Sequence, residues 1–178
     1  MNSFNALRKQ AAEKGFKGSP NPTRTQLEAF LISHQRKGKT FQGGYLEEVI
    51  AGDYGTARAG DCSTAIAGDY GTASVGCNGT ARAGDGGTAL AGAEGKAFAG
   101  ISGTATAGFK GSATVGLRGI ASSGNEGIAS ADGGGLLSIA WWDKDARRQR
   151  IMVAYVGEDG IEPNVAYKLD VNGKFIKA

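Results

Sequence analysis

Residues able to do chemistry are sparse in this chain, and the most regular of them are aspartates. Asp53, Asp61, Asp69 and Asp85 occupy one place in an octapeptide repeat. Repeated carboxylates at turns can bind Ca²⁺, as in nonapeptide β-helical repeats. The spacing here is eight rather than nine, and the dense Gly/Asp ligand pattern of those repeats is missing. The sequence therefore favours turn carboxylates that hydrogen bond to their own backbone.

No catalytic set can be assembled from the sequence. His34 is the single histidine, and no Ser/His/Asp or Cys/His arrangement can be built around it. No Gly-rich stretch stands between a strand and a helix, as a phosphate-binding loop requires. Cys62 and Cys77 lack metal-ligand spacing and favour two reduced thiols. We therefore expect a protein that is not an enzyme and uses neither a cofactor nor a metal.

The aspartates lie in a repeat that runs from about residue 51 to residue 138. Position two is Gly and position seven is Ala in the octads that begin at residues 51, 59, 67, 75, 83, 91, 99, 107, 115 and 123. So much Gly disfavours a helix. In a strand, positions six and eight would face outward and positions seven and one inward. The Gly residues would let the backbone bend tightly at the corners.

The predicted fold class is mainly β, a short two-sided β-solenoid with two octads in each 16-residue coil. The repeat region would give five to six coils, on the order of 25 Å of stack. An N-terminal helical hairpin and a C-terminal β cap would cover its ends. We divide the chain into a basic module (1–44), the solenoid (45–138) and the cap (139–178).

The N-terminal segment has a helical pattern and most of the positive charge. Residues 1–40 carry eight Lys and Arg against two Glu, so a polyanion would meet this part of the chain first. Phe4, Leu7 and Ala11 recur at helical spacing, and "GFKGSPNP" is a turn. Thr25 is the expected cap of a second helix.

The stretch "LRKQAAEKGFKG" followed by "TRTQLEAFL" resembles the SAP and HeH family of helix–extension–helix modules. Members of that family often bind DNA through the start of the second helix and nearby basic side chains. The resemblance implies nucleic-acid contacts by Lys9, Lys14, Lys17 and Arg24. Such contacts to the phosphate backbone of DNA would weaken as the salt concentration rises and would depend little on base sequence. The open alternative is a helical hairpin that only caps the solenoid.

The C-terminal segment is more apolar than the repeats. "LLSIAWW" and "RIMVAYV" are strand-like and are followed by the turn signals "EDG" and "NGK". We expect Trp141 and Trp142 to form the core and rim of the cap rather than a ligand platform. A basic cluster, Arg147, Arg148 and Arg150, would either extend a nucleic-acid surface or form a solvated turn with internal ion pairs.

The octads resemble the β-solenoid repeats of bacterial ice-nucleation proteins. They resemble more closely phage-encoded proteins in which "AGDxGTAT"-type repeats precede a "WWD" segment and a "GEDGI" turn. Here the matching residues are Trp141 to Asp143 and Gly157 to Ile161. The resemblance implies a solenoid and a phage or prophage setting, without a transferable activity.

Position three changes character along the repeat. Its aspartates give way to Ala93, Ile101, Phe109 and Leu117. Apolar residues rarely collect on water-facing turns, so this strip should be covered. We expect cover by the C-terminal unit in the first place. A homodimer or partner interface, with Trp141 and Trp142 in the contact surface, is the alternative.

Together these features predict a non-catalytic phage or bacterial binding protein. Its leading partner is DNA or a nucleoprotein complex, with the solenoid as a rigid scaffold or dimerisation surface. The alternative is a phage-encoded inhibitor that binds a host defence protein through protein–protein contacts. Ice binding is a minor alternative, because in the column of Thr56, Thr72, Thr88 and Thr104 only Thr104 has a matching Thr at position eight, Thr106. No apolar run is long enough to span a membrane, so we expect no membrane association and a location in the bacterial cytoplasm.

Overall fold

The structure is a computed structural model that describes residues 4–14, 22–23, 26–28, 31 and 36–178. Helix α1 spans Phe4–Glu13, and residues 26–28 are also helical. Short strands follow in the order β1 Thr40–Gln42, β2 Glu48–Ile50, β3 Thr56–Arg58, β4 Thr64–Ile66, β5 Thr72–Val75, β6 Thr80–Arg82, β7 Thr88–Ala91, β8 Lys96–Ala99, β9 Thr104–Ala107, β10 Ser112–Val115, β11 Ile120–Ser123 and β12 Ile128–Ala131. The chain ends with β13 Leu136–Asp143, β14 Arg148–Tyr155, β15 Tyr167–Leu169 and β16 Phe175–Lys177.

The strands form two eight-stranded sheets that alternate along the chain. The first sheet has the order β1-β3-β5-β7-β9-β11-β13-β14, and the second has the order β16-β15-β12-β10-β8-β6-β4-β2. Within the solenoid the strands are parallel, and each residue pairs with the one sixteen further on, as Thr40 does with Thr56 and Glu48 with Thr64. The predicted two-sided β-solenoid of 16-residue coils is confirmed, with about six coils.

Small residues fill the space between the sheets, as the alternation predicts. The position-seven alanines from Ala57 to Ala129 are fully buried. Most position-one residues are buried as well, including Val75 and Val115. At the C-terminal end the same places are taken by Leu137 and Ile139. Larger side chains therefore fill the core where the repeat gives way to the C-terminal strands.

The first coil begins before the recognisable octads. Residues 36–50 lack the repeat motif, yet β1 and β2 pair in register with β3 and β4. The amide of Gly38 donates to the carbonyl oxygen of Asp53 at 2.8 Å, and that of Gly52 to the carbonyl oxygen of Arg36 at 3.3 Å. The boundary that we drew after residue 44 falls inside this coil.

The corners of the coils give Gly a different role from the expected one. The left-handed conformation falls at position four, as at Tyr54 (φ 56°) and Ser102 (φ 54°), where Gly is rare. At position five, a Cβ on Gly103 would lie 2.7 Å from the Cβ of Ala99 and 3.0 Å from the carbonyl oxygen of Gly87. Gly is thus required because stacked coils approach closely.

The C-terminal unit extends the sheets with antiparallel strands. Strand β14 pairs with β13, β15 with β12 and β16 with β15. Tyr167 is buried, accepts a hydrogen bond from the amide of Glu162 at 2.9 Å and donates to the carbonyl oxygen of Gly160. The unit is therefore a continuation of the two sheets rather than a separate lid.

The N-terminal module has a small core of its own. Leu7, Ala11 and Leu27 are buried together, with Leu31 packed against them. The capping hydrogen bonds belong to Thr23, whose amide donates to Oε1 of Gln26 at 2.8 Å while the Gln26 amide donates to the Thr23 Oγ1 at 3.2 Å. These two hydrogen bonds form a capping box, whereas Thr25, the expected cap, lies outside the described residues.

Candidate binding surfaces

Two of the four predicted nucleic-acid contacts lie in the described residues. Lys9 is exposed on α1, and Lys14 is exposed just beyond its end, where its amide donates to the carbonyl oxygens of Gln10 and Ala11. A positive charge near the C-terminal end of a helix also interacts favourably with the helix dipole. Lys17 and Arg24 fall outside the described residues, as does His34.

Two further basic residues lie at the start of the first coil and make contacts within the solenoid. A guanidinium nitrogen of Arg36 donates to the carbonyl oxygen of Ile50 at 2.7 Å, and the group lies 5.2 Å from the ring centroid of Phe41. The ammonium of Lys37 lies 5.2 Å from the ring centroid of Tyr54. These cation–π contacts and the hydrogen bond support the first coil.

An aromatic pair at one corner was missed by the sequence analysis. The rings of Tyr54 and Tyr70 stack with their centroids 5.2 Å apart and their planes 12° apart, and both are exposed. The sequence does contain a sign of this pair, because "GDYGTA" occurs twice with a separation of 16 residues, which is one coil. With Lys37 they form an exposed column on the first coils.

The repeated aspartates bind backbone amides of the next coil. Oδ1 of Asp61 accepts from the amide of Cys77 at 2.7 Å, and Oδ1 of Asp69 accepts from that of Asp85 at 2.9 Å. The expected bonds to their own turns are therefore replaced by bonds between coils. Within the described ranges, no group of three or more His, Cys, Asp or Glu could hold a metal ion.

The apolar strip is open to solvent. Ile101, Phe109 and Leu117 are 47%, 44% and 43% exposed. The expectation that the C-terminal unit covers them was wrong, because that unit continues the sheets along the solenoid axis and leaves the corners free. Ile101 and Leu117 occupy neighbouring coils of one corner, whereas Phe109 lies on the opposite corner.

The two tryptophans border a shallow cleft. Trp141 is half-buried with Gly173 against its ring, and Trp142 is 45% exposed. The amide of Trp142 donates to Oδ1 of Asn125 at 3.1 Å. The cleft measures about 390 Å³ and is lined also by Ile139 and Val171. Trp141 thus contributes to the packing of the cap, and Trp142 lies at its rim.

The basic cluster lies at the tip of the β13–β14 hairpin. The carboxylate of Asp143 accepts from the amides of Asp145 and Ala146 at 3.0 and 2.9 Å and from Nε of Arg150 at 2.5 Å. The amide of Ala146, together with Arg150, lowers the pKa of Asp143. Arg150 is therefore engaged within the hairpin, while Arg147 and Arg148 are exposed.

The threonine column on the first sheet is longer than the octads indicate. Thr40 pairs with Thr56 and extends the column to the first coil. The adjacent position-eight column holds Arg58, Ser74 and Leu90, so the array is one residue wide over most of its length. Cross-strand stacking of β-branched residues accounts for such a column.

The class that this fold defines is a parallel two-sided β-solenoid with a helical N-terminal module and an antiparallel end. Comparison of the chain with protein-family models, with curated proteins and with solved structures finds no match. Among the described residues, no helix is long and apolar enough to cross a membrane.

Proposed function

We propose that the protein is a non-catalytic DNA- or nucleoprotein-binding protein in which the basic N-terminal module makes the contact. One observation carries the proposal: among the described residues, the buried residues of α1 belong to a hydrophobic cluster that is separate from the core of the solenoid. A helix that served only to cover the solenoid would pack against its first coil. The module instead has its own core around Leu7, Ala11 and Leu27.

The first coil is held to the second by residues that lie outside α1. Residues 36–39 supply backbone partners to the next coil, including the bond from the Thr56 amide to the Lys39 carbonyl oxygen at 2.8 Å. Arg36 and Lys37 hold this segment in place. The first coil is thus held without a contribution from α1, which leaves the exposed Lys9 and Lys14 available to a polyanion.

The test compares charge-neutralised variants of the full chain. Lys9→Gln/Lys14→Gln and Lys17→Gln/Arg24→Gln should each weaken binding to double-stranded DNA and reduce its salt dependence between about 50 and 200 mM, with a slope change of about 0.9 for each lost phosphate contact. The matched control, Lys96→Gln/Lys168→Gln, removes the same charge far from the module. Equal losses in the control and the module variants would refute the proposal.

A second candidate is the inhibition of a host defence protein through protein–protein contact. The exposed strip of Ile101 and Leu117, together with Trp142, favours it because exposed apolar residues mark contact surfaces. Capture of a protein partner that resists high salt and is lost in Ile101→Ser/Leu117→Ser would support this function. Salt-sensitive DNA binding that survives the same substitutions would argue against it.

A further inference from the structure

Strand β14 forms an open edge of the first sheet. It pairs with β13 on one side. The amide of Val156 donates to the carbonyl oxygen of Gly135 directly opposite, at 3.0 Å, so the even-numbered residues of β14 bond to β13. The backbone groups of the odd-numbered residues 149, 151 and 153 therefore point away from it. Within residues 36–178, no backbone hydrogen bond reaches these groups from the open side.

This edge differs from the other sheet edges of the molecule. Strands β1, β2 and β16 are three residues long, whereas β14 has eight. Edge strands are usually kept short or blocked by charge or Pro. Between Ile151 and Tyr155, β14 contains neither. Its outward side chains are apolar and open, with Ile151 67%, Val153 47% and Tyr155 54% exposed.

The charges at the two ends of β14 complement each other. Arg147 directly precedes the strand and Arg148 is its first residue, whereas Glu158 and Asp159 follow its end. Two copies paired in an antiparallel arrangement would place each basic end beside the acidic turn of the other copy. A parallel arrangement would place like charges together, which is unfavourable.

We propose that two copies of this chain pair β14 with β14 in an antiparallel arrangement and form a tail-to-tail homodimer. With the two-fold axis at Met152, Ile151 lies opposite the partner's Val153. The pairing joins odd-numbered residues of both copies, which are the residues whose backbone groups are open. The first sheets of the two solenoids then become one continuous sheet.

This dimer places the two N-terminal modules at opposite ends of one rod. The joined sheet spans sixteen strands, roughly 70 Å at about 4.8 Å per strand. The proposal does not depend on DNA binding, since the edge and its charges lie at the other end of the chain. If the modules do bind DNA, however, the dimer would engage two separated sites.

The test measures the mass of the full chain in solution by sedimentation and light scattering. We expect twice the chain mass of 18.1 kDa. Val153→Lys and Ile151→Lys should reduce the mass to that of a monomer with an unchanged circular dichroism spectrum. The matched control Leu90→Lys changes an exposed apolar residue of the interior strand β7 and should remain dimeric. A monomeric wild type, or a dimer that persists in Val153→Lys, would overturn the proposal.

A charge exchange tests the antiparallel arrangement separately. Arg147→Glu/Arg148→Glu should weaken the dimer, because each acidic turn would then face acidic residues. Adding Glu158→Lys/Asp159→Lys to the same chain should restore it. If the fourfold variant stays as weak as the double variant, the proposed strand arrangement is wrong.

Discussion

Oδ1 of Asp85 accepts a hydrogen bond of 2.7 Å from the backbone amide of Ile101, the residue at the same corner one coil further on. Asp53 and Asp69 make the same bond to the coil after them. This series of hydrogen bonds ends at Ile101, because Ile101 has no carboxylate that could accept a hydrogen bond from the amide of Leu117. Within residues 36–178, no hydrogen bond from the amide of Leu117 is present. The corner therefore changes here from an inter-coil polar ladder to an apolar surface.

The first prediction concerns the carboxylate acceptor of Asp85. Asp85→Ala should lower the free energy of unfolding by about 1 kcal/mol, because the Ile101 amide loses its acceptor. Asp85→Asn keeps an oxygen in that place and should cost less. Urea unfolding of the three proteins measures the difference. Equal losses in the Ala and Asn variants would show that the hydrogen bond is unimportant.

The second prediction concerns Ser63, which replaces the usual Gly at position five. Its hydroxyl accepts from the amide of Glu47 at 3.0 Å and can donate to the carbonyl oxygen of Gly44 at 2.9 Å. It thus bridges a turn that in most octads is closed by a direct backbone hydrogen bond, as from the amide of Gly55 to the carbonyl oxygen of Gly52. Ser63→Ala should cost about 1–2 kcal/mol in denaturant unfolding because both groups lose a partner.

Ser63→Gly is the matched control for this bridge. Without a Cβ, the Glu47 amide can approach the Gly44 carbonyl oxygen as the equivalent groups do elsewhere. We expect Ser63→Gly to be more stable than Ser63→Ala. The reverse order would contradict the bridging role of the hydroxyl.

The third prediction concerns Ser123, a buried serine at position one. Its Oγ has no hydrogen-bond partner within the described part of the chain. Other octads place Ala or Val there. Ser123→Ala should raise the free energy of unfolding by about 1 kcal/mol because it removes an unpaired buried hydroxyl. A higher thermal midpoint with an unchanged spectrum supports this, and a lower midpoint would indicate a partner for the hydroxyl.

The fold was predictable from the sequence because a strict period forces identical coils to stack. Tiny residues at positions seven and one could be assigned to the interior from strand alternation alone. Residues 36–44 were not assigned to the solenoid, since their pairing depends on backbone bonds that Thr40 can make as well as any octad residue. The candidate surfaces were harder. Exposure of Ile101 depends on where the C-terminal strands go, and their direction along the axis is a tertiary property.

The fourth prediction separates close approach from backbone conformation at one corner. Gly103→Ala should cost about 3 kcal/mol or more, because its Cβ would meet the Cβ of Ala99 and the carbonyl oxygen of Gly87. The neighbour Ser102 has the left-handed conformation, with φ 54°. Ser102→Gly should change stability by less than about 1 kcal/mol, since Gly tolerates that conformation. Thermal and urea unfolding measure both, and a tolerated Gly103→Ala would contradict the packing explanation.

The fifth prediction concerns acid stability at the β13–β14 hairpin. The Ala146 amide and Arg150 lower the pKa of Asp143 in the folded protein below its ordinary value of 3.8. A carboxyl with a lowered folded pKa stabilises the fold at pH values above its unfolded pKa. That stabilisation is lost as the pH falls through the folded pKa. Stability should therefore decline below about pH 4 as Asp143 is protonated.

Asp143→Asn should remove this part of the acid dependence. Its thermal midpoint should be lower than that of the wild type at pH 7, where the wild type keeps the Arg150 ion pair, and the two should converge as the pH falls below about 4. The matched control Asp145→Asn removes a carboxyl from the same hairpin tip while its amide still donates to Asp143. The control should follow the wild-type pH profile. A constant gap between Asp143→Asn and the wild type from pH 7 to strongly acidic pH would show that protonation of Asp143 contributes nothing to acid unfolding.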